Sequence, residues 1–183
     1  MSFADKISSI RIILIPVFVS LLIYSETHPA MRYFAVAVFI LAVLSDFFDG
    51  MVARIKKEKS ELGQIIDPLA DKLLLLTAFI TLLLLKEYSM YLWLVLIVVS
   101  RDLIISFGFA ILKMLKIEIE ISPSFWGKFT TFSQMITILW ILLKVPYHFY
   151  ISLVAAVFTL ISGLDYFLRG VKALNAKINP SSR

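Results

Sequence analysis

The chain has 183 residues, of which 60% are hydrophobic and 17% are charged, and its formal net charge is +5 at pH 7. Soluble domains are only about 45–50% apolar, so this composition and the mean hydropathy of +0.92 exclude an ordinary soluble protein. The lack of cysteine excludes disulfides and thiolate metal sites. The basic residues are spread over separate segments, which argues against nucleic-acid binding.

Six apolar runs follow one another along the chain, and each could cross about 30 Å of hydrocarbon as a helix. The predicted spans are Ser8–Tyr24, Tyr33–Arg54, Ile65–Leu85, Tyr91–Lys113, Phe125–Leu143 and Tyr147–Arg169. The first run shows no cleavage site of a signal peptide, so we expect it to be retained. Because the connections are short, the sequence predicts an all-α, polytopic membrane protein with six transmembrane helices in one domain, residues 1–183.

The orientation in the membrane follows from the basic residues, because cytoplasmic connections retain lysine and arginine. With six spans, most of the lysines and arginines lie on the same side of the membrane as the N-terminus, including Lys56, Lys57 and Lys59 in the connection 55–64. We therefore expect both termini and this connection to face the cytoplasm, in the inner membrane of a bacterial or archaeal type of cell. The alternating stretch "KIEIEIS" is interpreted as an extended loop between the fourth and fifth spans.

Four aspartates interrupt the second and third spans. Asp46 and Asp49 are three residues apart, and Asp67 and Asp71 are four apart, so each pair shares one helix face. The connection between the spans returns the chain, which allows both pairs to face each other near the cytoplasmic end. Ionised carboxylates that lie together repel each other and require a compensating cation.

A divalent metal would supply that compensation. Since only oxygen ligands are present, Mg²⁺, Mn²⁺ or Ca²⁺ is the chemical match, and zinc or copper is not. Four carboxylates suffice for two metal ions, an arrangement that suits phosphate chemistry because it can bind both the attacking and the leaving oxygen.

Small residues and an arginine accompany the carboxylates. Gly50 and Ala53 leave space for a ligand beside the helix, Gly63 is expected to permit a tight turn, and Arg54 offers a planar fork to phosphate. Individually such residues could simply hold helices together. The full pattern D-x2-D-G-x2-A-R-x8-G-x3-D-x3-D would match by chance below about 10⁻⁹ per starting point, which favours a functional interpretation.

At these eight positions the chain resembles the CDP-alcohol phosphatidyltransferase family, and the six-span plan extends the resemblance over nearly the whole chain. The resemblance implies an enzyme of phospholipid biosynthesis that transfers a phosphatidyl group from CDP-diacylglycerol to an alcohol and releases CMP. It implies two Mg²⁺ or Mn²⁺ ions, with Asp71 also acting as general base. The implied metal ligands are Asp46, Asp49, Asp67 and Asp71, and the implied CDP-binding residues are Asp49, Gly50, Ala53, Arg54 and Gly63.

Further stretches are similar to the branch of the family whose acceptor is glycerol 3-phosphate. The stretches "SRDLIIS" and "WGKFTTFSQM" imply that Arg101 and Lys128 bind the acceptor phosphate. The first span is similar to the family's opening pattern at Ser8, Arg11 and Pro16, and it departs from that pattern at Ala4 and Asp5. By themselves, Arg101 could equally pair with a carboxylate, and Lys128 could be an interfacial lysine at a helix start.

Several alternatives stay open. A second branch shares similar stretches and uses phosphatidylglycerol as acceptor to make cardiolipin. Branches whose acceptors are inositol phosphate or serine are more distant options. From a different class, a small ion or proton transporter also has intramembrane carboxylates, although a transporter would place them near mid-bilayer. The resemblance also implies a membrane-lipid environment and a homodimer. In the last span, Asp165 and Arg169 are expected to form a local i,i+4 ion pair without a catalytic role.

Overall fold

The computed structural model describes the backbone of residues 3–56, 61–115 and 124–178 and the side chains of residues 11–45, 72–112, 114–115 and 124–175. These residues contain six helices and no strand. The helices are α1 Phe3–Ser25, α2 Met31–Lys56, α3 Glu61–Leu84, α4 Leu92–Met114, α5 Phe125–Leu142 and α6 His148–Ile178. The all-α class is therefore confirmed, and each predicted span overlaps one helix, although α6 continues nine residues beyond the predicted end at Arg169.

The connection between α2 and α3 is shorter than predicted. α2 continues to Lys56, and α3 already begins at Glu61, where a negative charge favours a helix start. The predicted tight turn at Gly63 was wrong, because Gly63 is the third residue of α3. The expected loop "KIEIEIS" lies outside the described residues.

Two of the described helices are long and apolar enough to cross a membrane, Leu92–Leu112 and His148–Asn175. Shorter apolar stretches are Arg11–Ser25, Met31–Ser45 and Lys72–Leu84. Large apolar side chains such as Phe107 lie exposed along these helices. Extensive exposed apolar surface of this kind suits contact with lipid better than contact with water.

The chain divides into two compact units, of which the first comprises residues 1–90 and 138–146. In this unit α1 packs against both α2 and α3. The buried rings of Phe18 in α1 and Phe39 in α2 lie 5.6 Å apart between their centroids. At the end of α1, the hydroxyls of Ser25 and Tyr88 share a buried hydrogen bond of 2.8 Å, which ties α1 to the segment after α3.

The second unit comprises residues 91–137 and 147–183, and in it α4 packs against α6. Buried polar side chains link α5 to α6. Thr130 Oγ1 donates a hydrogen bond to the Phe158 carbonyl oxygen at 2.8 Å, and Gln134 Nε2 donates one to Thr159 Oγ1 at 3.1 Å. Hydrogen bonds between helices serve as attachment points in an apolar bundle.

Candidate active site

The contact between Phe18 and Phe39 sets the register of α1 against the antiparallel α2. Seven residues correspond to two helical turns within about 20°. Counting seven residues from Phe18 along α1 leads to Arg11, and counting seven from Phe39 along α2 leads to Asp46. By this count, residues 11 and 46 each lie about two turns from the Phe18–Phe39 contact, toward the N-terminal end of α1 and the C-terminal end of α2.

Asp71 lies about as far from the end of α3 as Arg11 lies from the end of α1. Ser25 at the end of α1 bonds to Tyr88 just beyond the end of α3. Arg11 precedes Ser25 by fourteen residues, and Asp71 precedes the end of α3 at Leu84 by thirteen, so both lie roughly 20 Å from that end. α1 packs against both helices that carry the aspartates.

Arg11 is the residue that sequence analysis missed as a site candidate. Its side chain is fully buried, although an arginine near the end of an apolar span is usually interfacial. Burying an ionised guanidinium is costly unless anions compensate it. Arg11 lies in the N-terminal half of α1, the helix that packs against both motif-bearing helices, and it places a positive charge there. The signal in the sequence was the similarity of the first span to the family's opening pattern, in which Arg11 is one of the matching positions.

The predicted metal and CDP residues lie in α2 and α3, but their side chains are outside the described residues: Asp46, Asp49, Gly50, Ala53, Arg54, Gly63, Asp67 and Asp71. The structure thus gives their helices and their sequence positions, and their roles stay predictions. Among the side chains that are described, no three His, Cys, Asp or Glu residues lie close enough together to hold a metal ion.

Arg101 lies in α4 and is held by neighbours within the second unit. Its Nη1 pairs with the Asp102 carboxylate, and its Nη2 donates a hydrogen bond of 2.8 Å to Ser162 Oγ on α6. The guanidinium carbon lies 5.6 Å from the centre of the Tyr166 ring, within reach of a cation–π interaction. The pairing with a carboxylate that sequence analysis left open is therefore present, and one donor, the buried Nε–H, has no partner among the described residues.

A second polar group joins the start of α5 to α6. Arg169 Nε lies 3.1 Å from Asp165 Oδ1, which confirms the predicted i,i+4 ion pair. Asp165 also accepts a hydrogen bond from Ser124 Oγ, and the Ser124 backbone N–H donates to the Tyr166 hydroxyl at 3.2 Å. Ser124 and Tyr166 were not candidates from the sequence, because nothing in the local pattern connects residues 42 positions apart.

Lys128 lies in the first turn of α5 and is exposed. Its backbone N–H donates to the Ser124 carbonyl oxygen at 3.2 Å, so Lys128 is attached to the same segment that Asp165 and Tyr166 hold. Its predicted contact with the acceptor phosphate stays a prediction.

The family to which the chain belongs follows from comparison with known proteins. The CDP-alcohol phosphatidyltransferase family profile matches residues 1–161. Since this match spans most of the chain, the protein belongs to the CDP-alcohol phosphatidyltransferase family, and it is an enzyme of phosphatidyl transfer. Together with its apolar helices, the membership identifies a membrane protein of phospholipid biosynthesis.

Individual relatives come from several bacteria. The chain is 34% identical over 176 residues to a probable phosphatidylglycerophosphate synthase of Mycobacterium tuberculosis, covering 92% of this chain and 81% of the relative. It is 29% identical to a CDP-diacylglycerol–glycerol-3-phosphate 3-phosphatidyltransferase of Bacillus subtilis, covering 93% and 95%. For the protein of that name in Escherichia coli the identity is 32%, with coverage of 85% and 87%.

Proposed function

We propose that the protein transfers the phosphatidyl group of CDP-diacylglycerol to glycerol 3-phosphate, forming phosphatidylglycerophosphate and CMP. The observation that carries the proposal is the complete eight-position motif on α2 and α3, two helices that pack against the same α1. The names of the relatives, which match along most of their length, support glycerol 3-phosphate as the acceptor. The family membership favours this enzyme over the ion or proton transporter.

The donor set at the motif fits two divalent metal ions. Four carboxylates provide only oxygen ligands, which suits Mg²⁺ or Mn²⁺, and the chain has no cysteine to favour a softer metal. Asp46, Asp49, Asp67 and Asp71 would hold the ions, which when bound would neutralise the diphosphate and the departing CMP. Gly50, Ala53, Arg54 and Gly63, with Asp49, would line the CDP site.

The remaining chemistry requires one proton transfer. The acceptor hydroxyl oxygen forms a bond to the β-phosphorus of CDP-diacylglycerol while the bond between that phosphorus and the CMP oxygen breaks. Asp71 accepts the hydroxyl proton as general base. Arg54 holds a phosphate of the donor through two parallel N–H donors, which fixes the donor for in-line attack.

Arg101 and Lys128 bind the phosphate of the acceptor in this proposal. Nη1 of Arg101 pairs with Asp102 and Nη2 donates to Ser162, so these contacts use two of the five guanidinium N–H donors and orient the group. A guanidinium that is already oriented loses little further rotamer freedom when it binds an anion. Lys128 contributes an exposed positive charge from the first turn of α5.

CMP release tests the reaction. Purified protein receives CDP-diacylglycerol with Mg²⁺ or Mn²⁺ and one acceptor at a time: glycerol 3-phosphate, phosphatidylglycerol, inositol phosphate or serine. We expect metal-dependent release with glycerol 3-phosphate and none after chelation. CMP release with phosphatidylglycerol alone would assign the cardiolipin-forming reaction instead. If folded protein releases no CMP with any of the four acceptors, the proposal is refuted.

The proposed topology has six spans, both termini in the cytoplasm and the active site on the cytoplasmic side of the inner membrane. Because the natural chain has no cysteine, a single introduced cysteine can be labelled without background. Ser89→Cys, at an exposed residue between α3 and α4, should react with an impermeant maleimide in intact cells. Asn175→Cys, near the end of α6, should react only after permeabilisation, and the reverse pattern would overturn the orientation. Cross-linking of the same variants tests the expected homodimer.

A further inference from the structure

Tyr166 joins the two elements that carry the proposed acceptor-binding residues. Its ring lies beneath the guanidinium of Arg101 on α4, at 5.6 Å from centroid to Cζ. Its hydroxyl oxygen accepts a hydrogen bond of 3.2 Å from the backbone N–H of Ser124, the residue that precedes α5. One side chain on α6 therefore contacts both the cation of α4 and the start of the helix that carries Lys128.

Gly127 allows Tyr166 to approach α5 closely. A Cβ atom at residue 127 would lie 3.2 Å from the Tyr166 hydroxyl oxygen, which is tighter than an ordinary contact, and 3.4 Å from Cε2. Lys128 is the next residue. The position of Tyr166 against the first turn of α5 thus influences where the backbone of Lys128 lies.

Two further residues of α6 contact Arg101 and the start of α5. Ser162, one turn before Tyr166 on α6, accepts a hydrogen bond from Arg101 Nη2, and Asp165 accepts one from Ser124 Oγ. The side chain of Arg101 is only 13% exposed. Consecutive turns of α6 therefore contact both the Arg101 guanidinium and the start of α5. Neighbouring residues that fix binding groups in this way keep them at the separation that the ligand needs.

We propose that Tyr166 is a positioning residue of the acceptor site, which holds Arg101 and the first turn of α5 at the spacing that a phosphate monoester on the acceptor requires. The inference rests on the proposed function and assigns to that site a residue that itself does not touch the substrate. A tyrosine that merely packed the bundle would affect folding without distinguishing acceptor from donor.

Two substitutions separate the contacts of Tyr166. Tyr166→Phe removes the hydroxyl that Ser124 uses and keeps the ring, so the Michaelis constant for glycerol 3-phosphate should rise about 5-fold, as expected for one hydrogen bond. Tyr166→Leu also removes the ring beneath Arg101, and this constant should rise roughly another 5-fold. The Michaelis constant for CDP-diacylglycerol should remain within about twofold of the wild-type value in both variants.

Gly127→Ala tests the same contact from α5, since the added methyl group displaces the tyrosine hydroxyl. The Michaelis constant for glycerol 3-phosphate should again rise, and the Michaelis constant for CDP-diacylglycerol should not.

Tyr150→Phe is the matched control. Tyr150 is an exposed tyrosine on the same helix with ring contacts to Tyr147 and Phe149, so its hydroxyl can be removed without touching the acceptor site. Its kinetic constants should equal those of the wild type.

A measurement without turnover complements the kinetics. Glycerol 3-phosphate should raise the melting temperature of the wild-type protein, and Tyr166→Phe should reduce this rise at the same ligand concentration. Equal increases of both Michaelis constants, or an unchanged ligand-induced rise, would overturn the inference. Wild-type protein that transfers to no acceptor would instead refute the proposed function, so the two failures are distinguishable.

Discussion

Glycine 163 offers a quantitative test of how closely α4 and α6 pack, with Gly108 as its matched control. Alanine is more favourable than glycine inside a helix by about 1 kcal/mol. A Cβ atom at Gly108 would meet nothing within 4 Å, so Gly108→Ala should retain this full gain. In a protein of this size the melting temperature should rise by about 2–4 °C.

At Gly163 the same methyl group meets Arg101. The added Cβ would lie 3.3 Å from Arg101 Cγ, and the stem of Arg101 would have to move by a few tenths of an ångström. The guanidinium is tied to Ser162 and Asp102, which resists that movement. Crowding in a packed interior costs about 1–3 kcal/mol, so the net change in stability ranges from about zero to a loss of about 2 kcal/mol.

Thermal unfolding of both variants in the same detergent measures the difference. The melting temperature of Gly163→Ala should lie below that of Gly108→Ala by about 2–12 °C. In an Arg101→Ala background the two substitutions should have equal effects, because the crowded side chain is gone. Equal stabilisation by both alanines in the presence of Arg101 would refute the packing of its stem against Gly163.

Three further outcomes are expected. Asp71→Asn should abolish CMP release but leave binding of CDP-diacylglycerol largely intact, since an amide cannot accept the proton; normal turnover would remove Asp71 as the base. Arg101→Ala should raise the Michaelis constant for the acceptor far more than that for the donor, and equal effects on both would make Arg101 a structural ion pair. Burial raises the pKa of the Tyr88 hydroxyl above its usual value. The neutral hydroxyl therefore stabilises the folded protein fully below about pH 10, where an unfolded tyrosine ionises. This stabilisation is lost as the pH rises through the higher pKa of the folded state. Tyr88→Phe should therefore weaken the loss of stability at alkaline pH in thermal melts, and an identical alkaline profile would contradict this reasoning.

Features that depend on neighbouring residues were predicted from the sequence, and features that depend on residues far apart in the chain were not. Helix number and approximate bounds were predicted because the length of an apolar run is a local property. The Asp165–Arg169 pair was predicted for the same reason, since residues four apart on one helix always lie on one face. The turn at Gly63 was predicted wrongly, because glycine permits a turn without requiring one and the chain continues as helix there.

The sequence by itself determined the all-α class, the six apolar helices and the family, because the motif and the apolar periodicity are written in consecutive residues. Only the tertiary structure revealed that Arg11 is buried, since burial depends on how α1 packs against α2 and α3. It likewise revealed the attachment of Arg101 to Ser162, residues 61 positions apart. Side chains so distant in the chain are brought together by the packing of helices, and packing depends on the shapes of all the side chains between them.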